Sequence, residues 1–247
     1  MNITIYVDKI LSLYQNAFSK LDEQAKAKAD ALTSFQKAAV RLSEQAAKEE
    51  YNNLLQEHTE RLRAIVEKLN ESVAAVEAEF LQELKTFYTP NGDAINAADQ
   101  TLLSSGILKE DEVSALITKH AENPTMLRII GRYTAEIKLT LSAADTRAIY
   151  RAASGGESEK RIFKTFKQLI HAPVIMAEQG QAGTEAFLLS ALNAEEYAQE
   201  AKAKLLRSKT HLNEADRSTL EQIEAKQIEE KNKKYDPQNI DYGWYNG

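Results

Sequence analysis

Apolar residues recur at intervals of three, four or seven from Val7 through Ile10, Tyr14, Phe18, Leu21, Ala25, Leu32, Phe35, Ala39 and Leu42 to Ala46. That spacing lays one continuous face along a helix. A second series repeats it through Leu55, His58, Leu62, Ile65, Leu69, Val73, Val76, Phe80, Leu84 and Phe87, and stops at the breaker Thr89-Pro90-Asn91-Gly92. No glycine or proline precedes Pro90, where average usage of about 12% for the pair would place roughly ten. The two series do not share a face: at 100° per residue, Leu42 and Leu62 lie roughly 160° apart on a straight helix. Two arrangements satisfy the pattern. The chain folds back into a helical hairpin at Glu49-Glu50-Tyr51-Asn52-Asn53, or it continues as one rod of about 120 Å whose halves face different partners.

After Pro90 the punctuation is that of a compact helical body. Gly106, Pro124, Gly131, Gly155-Gly156, Pro173, Gly180 and Gly183 separate short runs. Asn123-Pro124 predicts a helix start, with Asn as N-cap and Pro in the first turn, and Gly131 inside that helix predicts a close packing contact. Ser142-Ala-Ala-Asp145 opens a further helix that Gly155-Gly156 closes. Residues 157–172 form an amphipathic helix through Ile162, Phe163, Phe166, Leu169 and Ile170, ending at Pro173, and Thr184 to Arg207 make another. Asn213 caps a thin, highly charged helix carrying Leu220, Ile223 and Ile228. Only Ile3-Thr4-Ile5-Tyr6-Val7 reads as a short strand. The expected fold is therefore all-α: a long helical arm or hairpin over residues 1–89, a compact helical domain over 90–210, and a charged helix with an extended tail over 211–247.

Composition narrows the function. A net charge of -6 speaks against a dedicated nucleic-acid binder, whose footprint is basic. The absence of cysteine removes disulfides, thiolate metal sites and cysteine nucleophiles. The first residues lack a basic n-region and a small-residue cleavage site, and no apolar run reaches the roughly 18 residues that span a bilayer. The expectation is a soluble protein with no membrane contact.

Candidate chemistry is sparse. His58, His120, His171 and His211 fall in no ligand spacing; His58 sits on the apolar stripe as a packed histidine, and the others read as helix-end residues. Gly155-Gly156 precedes two glutamates, Glu157 and Glu159, which would repel a phosphate, so a helix cap and turn is the reading. Lys160, Arg161, Lys164 and Lys167 form a basic strip that could meet an acidic partner or nucleic acid, or simply lie in solvent over Phe163 and Phe166. No nucleophile elbow, triad signature or dinucleotide fingerprint is present. Neither catalysis nor a cofactor or metal is expected.

The C-terminal segment differs from the charged helix before it, placing Ile240, Tyr242, Trp244 and Tyr245 within the final residues. Such rings favour burial, on the chain's own domain, on a second copy or on another protein; the partner-binding reading makes these four an intermolecular anchor. The plan of a long acidic helical arm, a helical middle and a short tail resembles scaffolding, capsid-associated and connector proteins of tailed bacteriophages. The segment Asn123-Pro-Thr-Met-Leu-Arg-Ile-Ile-Gly-Arg-Tyr133 is similar to stretches in phage and prophage proteins of Gram-positive bacteria. The resemblance implies a structural or assembly role in a virion or the host cytoplasm, as a homo-oligomer with a protein partner, and carries no site residue. The alternative is a cytoplasmic regulatory or adaptor protein binding a protein or nucleic acid.

Overall fold

A computed structural model describes residues 4–178, 184–209, 212 and 214–234. Among these residues the fold is all-α, with the long N-terminal helices that the two apolar series require. Helix α1 spans Thr4–Ala39 and α2 spans Glu44–Tyr88, followed by α3 (Ala97–Ser104), α4 (Glu110–Lys119), α5 (Pro124–Glu136), α6 (Ala143–Ser154), α7 (Glu157–Glu178), α8 (Thr184–Ser208) and α9 (Glu214–Lys234). Thr4 to Val7 belong to the opening turns of α1, not to a strand, and Tyr6 and Val7 are buried there.

The first 89 residues fold as a hairpin, and the reversal lies at Val40–Ser43, ahead of the expected Glu49–Asn53. Two tight bonds close α1, from Arg41 N–H to the Ala38 carbonyl at 3.0 Å and from Leu42 N–H to the Ala39 carbonyl at 3.1 Å. Ser43 then caps α2, its hydroxyl accepting from the Ala46 N–H at 3.3 Å. Lys138 is the one non-glycine residue with positive φ among the described residues, so this turn uses backbone conformations open to any residue and needs no glycine. The helical phase restarts at Ser43, which removes the register conflict between the stripes.

A helical hairpin has only one seam, and these stripes are wider than one seam covers. The surplus is buried by α7 and α8: Val7, Ile10, Tyr14, Phe18 and Leu21 of α1 share a core with Val66, Leu69, Val73, Phe80 and Leu84 of α2, Phe163, Phe166, Ile170 and Val174 of α7, and Ala194, Ala198, Ala201 and Leu205 of α8. Phe80 stacks on Phe163 with ring centroids 4.3 Å apart, and Tyr6 meets Phe80 edge-on at 5.6 Å. Each fully buried ring is worth about 1.5–3 kcal/mol. Ion pairs fix the directions: Lys167 of α7 meets Glu77 of α2 at 2.5 Å, and Lys202 of α8 meets Asp8 of α1. The result is an up-down-up-down four-helix bundle with α3–α6 inserted between its second and third helices.

The insert has its own core, of Leu103, Val113, Leu116, Ile117, Met126, Leu127, Ile130, Tyr133, Ala148 and Ala152. Residues 90–210 therefore divide between two cores, α3–α6 forming one and α7 and α8 joining α1 and α2 in the other. A third, small cluster of Ala203, Leu206 and Ile223 seats α9 on α8; Ile228 is exposed.

Local signals hold where they were specific. Asn123 caps α5, accepting from the Met126 N–H at 3.1 Å, with Pro124 at its start; Ser142 caps α6, and left-handed Gly155 ends it. Pro173 does not end α7, which continues to Glu178. The proline forfeits one backbone bond, while Ile170 and Val174 on either side of it are buried in the bundle, and that packing outweighs the loss.

Gly131 lies where α5 and α6 touch. A Cβ there would stand 2.4 Å from Ile149 Cγ2, an atom one bond from the α6 side-chain root that has little room to move. Gly131→Ala is expected to destabilise the protein by about 1–3 kcal/mol despite its better helix propensity, and Ile149→Ala in the same chain to recover part of the loss. Urea unfolding of the single and double variants measures both.

Candidate functional site

The two cores meet at a buried charge. Tyr88 closes α2, Arg151 lies in the last turn of α6 and Glu159 in the first turn of α7; Glu159 has no exposed surface. The Tyr88 hydroxyl donates to Glu159 Oε1 at 2.7 Å, and the Arg151 Nε–H donates to the same oxygen. Burial pushes the Tyr88 phenol well above its ordinary range, and the Glu159 charge adds to this against the opposing Arg151. Burial also works against the Arg151 guanidinium, but Tyr88 and Glu159 more than compensate, leaving it above the usual arginine value. Gly156 lets the chain pass close to this point: its φ is +84°, and a Cβ would stand 2.8 Å from Leu84 and Tyr88.

Above this network opens a cleft of about 520 Å3 between α6, the start of α7 and the end of α8. Residues 147, 150, 151 and 154 follow helical spacing of three, four and seven, so Arg147, Tyr150, Arg151 and Ser154 share one face of α6. Arg161 and Ser158 reach the cleft from α7, and Arg207 and Lys209 from the end of α8. Five cations thus face one another across it, with Glu157 as the acidic residue of the lining. Arg207 is paired with Glu224 and Lys209 with Asp216. Arg147 and Arg161 have no carboxylate partner among the described residues, Arg147 spending only its Nε on the Ala143 carbonyl at 3.0 Å.

The basic strip read from the sequence is thereby divided. Lys160 pairs with Glu157 at 2.6 Å and Lys167 with Glu77 at 2.5 Å, Lys164 is exposed, and Arg161 turns to the cleft. Sequence reasoning missed Arg147, Arg151, Arg207 and Lys209. The i, i+4 spacing of Arg147 and Arg151 was visible, but their meeting with the end of α8 depends on the tertiary fold.

Of the histidines, His58 is buried in the hairpin with Nδ1 unpartnered, His171 is hydrogen-bonded through Nδ1 to the Tyr14 hydroxyl at 2.8 Å, and His120 ends α4 and packs against α3. His211 and the segment carrying Ile240, Tyr242, Trp244 and Tyr245 lie outside the described residues, as does the Asn213 cap. No group of three or more His, Asp or Glu is placed to hold a metal among the described residues, and no described helix is long and apolar enough to cross a membrane.

A second surface stands at the far end of the hairpin. The bundle core of α1 ends at Leu21, and the helix runs on for about 27 Å to Ala39. At the tip Val40 is 86% exposed and Tyr51 41%, with Leu42 beside them, and the Tyr51 ring lies 5.7 Å from that of Phe35. Lys37, Arg41 and Lys48 alternate around the tip with Glu44, Glu49 and Glu50, all exposed.

Asp99 of α3 is the other buried carboxylate with defined partners. His120 Nε2 donates to Oδ2 at 2.6 Å, and Lys119 donates to Oδ1 at 3.0 Å. The Lys119 hydrogen bond, opposed by burial and helped by His120, holds Asp99 below the usual carboxylate range. The folded chain therefore takes up this proton less readily than the unfolded one, so the contribution is complete above about pH 4 and is lost as pH falls through the depressed value. Asp99→Asn is expected to lower stability near neutrality by about 1–3 kcal/mol and to flatten its fall in acid, as read from urea unfolding across the acidic range.

Compared with protein-family models, with curated proteins and with solved structures, the chain matches none.

Proposed function

We propose that the protein is a non-enzymatic structural subunit of a multi-subunit assembly, of the kind that builds phage particles, and that its helical hairpin joins one copy to the next. The observation that carries this reading is the exposed apolar tip of Val40, Leu42 and Tyr51 at the end of a long arm. An arm held rigid at its base by a four-helix bundle and apolar at its end is suited to reach a neighbour. The partner we assign is a second copy of the chain. The tip's rim carries three exposed cations and three exposed anions, a balance that lets identical surfaces pair about a two-fold axis without net repulsion. The C-terminal residues Ile240, Tyr242, Trp244 and Tyr245 supply a second contact in this reading, with the virion or the host cytoplasm as the place of action.

Sedimentation velocity from low to high micromolar concentration tests the assignment. The parent is expected to self-associate. Val40→Asp with Leu42→Asp is expected to stay monomeric with unchanged helix content and a stability within about 1 kcal/mol of the parent, as for changes at exposed positions. A parent that is monomeric throughout, or a double variant that associates like the parent, would overturn it.

A further inference from the structure

We infer that the cleft between α6, α7 and α8 is a binding site for a small phosphate-bearing anion. This goes beyond the assembly role and does not depend on the hairpin tip. The sequence argued against phosphate at this point because Glu157 and Glu159 follow the glycine pair. The structure weakens both objections: Glu159 is buried away from the cleft, its Oε1 accepting from Tyr88 and Arg151, and Glu157 is paired with Lys160. Facing the cleft are five cations and one acidic residue, Glu157.

Arg147 and Arg161 approach from two different helices and keep guanidinium N–H groups free of any carboxylate among the described residues. Guanidinium forks match the oxygen geometry of phosphate and bind it bidentately. Arg151 is locked in place by its buried partners, so one wall is preorganised before any ligand arrives. Arg207 and Lys209 close the far side, already paired with Glu224 and Asp216 and able to add field without being the first to engage. Ser158 supplies a hydroxyl donor, while the Ser154 hydroxyl donates to the Arg151 carbonyl at 2.9 Å. The volume of about 520 Å3 falls within the ordinary range for small-molecule sites, and suits one nucleotide or a short phosphate chain. Tyr150, 73% exposed at the mouth, offers a ring face on which a base can stack. In a chain of net charge -6, Arg147 and Arg161, the two cleft cations without a carboxylate partner among the described residues, concentrate attraction for anions there.

Isothermal titration calorimetry on the full chain, without divalent cations, tests the site with inorganic pyrophosphate and with ATP as probes. Saturable binding of one probe molecule per chain is expected. Arg147→Glu with Arg161→Glu should weaken it by at least about tenfold, while Lys164→Glu, an equal change of charge per residue on the exposed side of α7, should leave it within about twofold. All three positions are exposed, and circular dichroism melting verifies that the variants fold. Tyr150→Ala separates the sources: loss of ATP affinity with pyrophosphate unchanged identifies a nucleotide, and no effect on either identifies the phosphate chain alone, both upholding the site. Absence of saturable binding, or equal weakening by the Lys164 variant and the paired arginine variant, would overturn the inference.

Discussion

One carboxylate with no exposed surface, Glu159, joins the parts of this molecule. It receives hydrogen bonds from the end of α2 and the end of α6 while sitting in the first turn of α7. These three elements belong to two separate hydrophobic cores, and this is where the insert is tied to the bundle. A buried charge is tolerated only when partnered, so Tyr88 and Arg151 must both reach it for the joint to close. Once closed, the joint sets the orientation of α6 against α7, and with it the distance across the cleft from Arg147 to Arg161.

The bundle follows from a simpler constraint. The apolar stripes of α1 and α2 are wider than a hairpin seam, and solvent would meet the excess unless another pair of helices covered it. The covering pair, α7 and α8, comes from the far side of the insert, so the core is assembled from chain segments separated by an entire subdomain. Beyond Ala25 and Leu62 no described hydrophobic residue of the hairpin belongs to the bundle core, and the hairpin continues as an arm. The same stripes therefore give a rigid base near the chain start and a projecting tip at the reversal.

Much of this was legible in the sequence. Helical periodicity identified α1 and α2, and Asn123-Pro124, Ser142 and Gly155 marked boundaries of α5 and α6, because caps and left-handed turns demand particular side chains. Gly131 was legible for the same reason: no side chain fits against Ile149. The reversal at Val40–Ser43 was displaced because it is built from negative-φ conformations open to any residue, leaving only Ser43 as a signal. Pro173 was misread as a terminus because a local breaker was weighed without the core that holds Ile170 and Val174. The cleft was hidden almost entirely. Its cations come from residues 147–161 and 207–209, and the pairing that silences Glu157 and Glu159 exists only in the folded chain.

The most direct test of the joint is the stability of Arg151→Ala, measured by urea unfolding, beside Arg151→Ala with Glu159→Gln. The account predicts that the single variant loses about 3–5 kcal/mol, because it strands a buried carboxylate, and that neutralising Glu159 in the same chain restores a substantial part of the loss. A single variant that unfolds within about 0.5 kcal/mol of the parent, the range of an ordinary surface change, would contradict it.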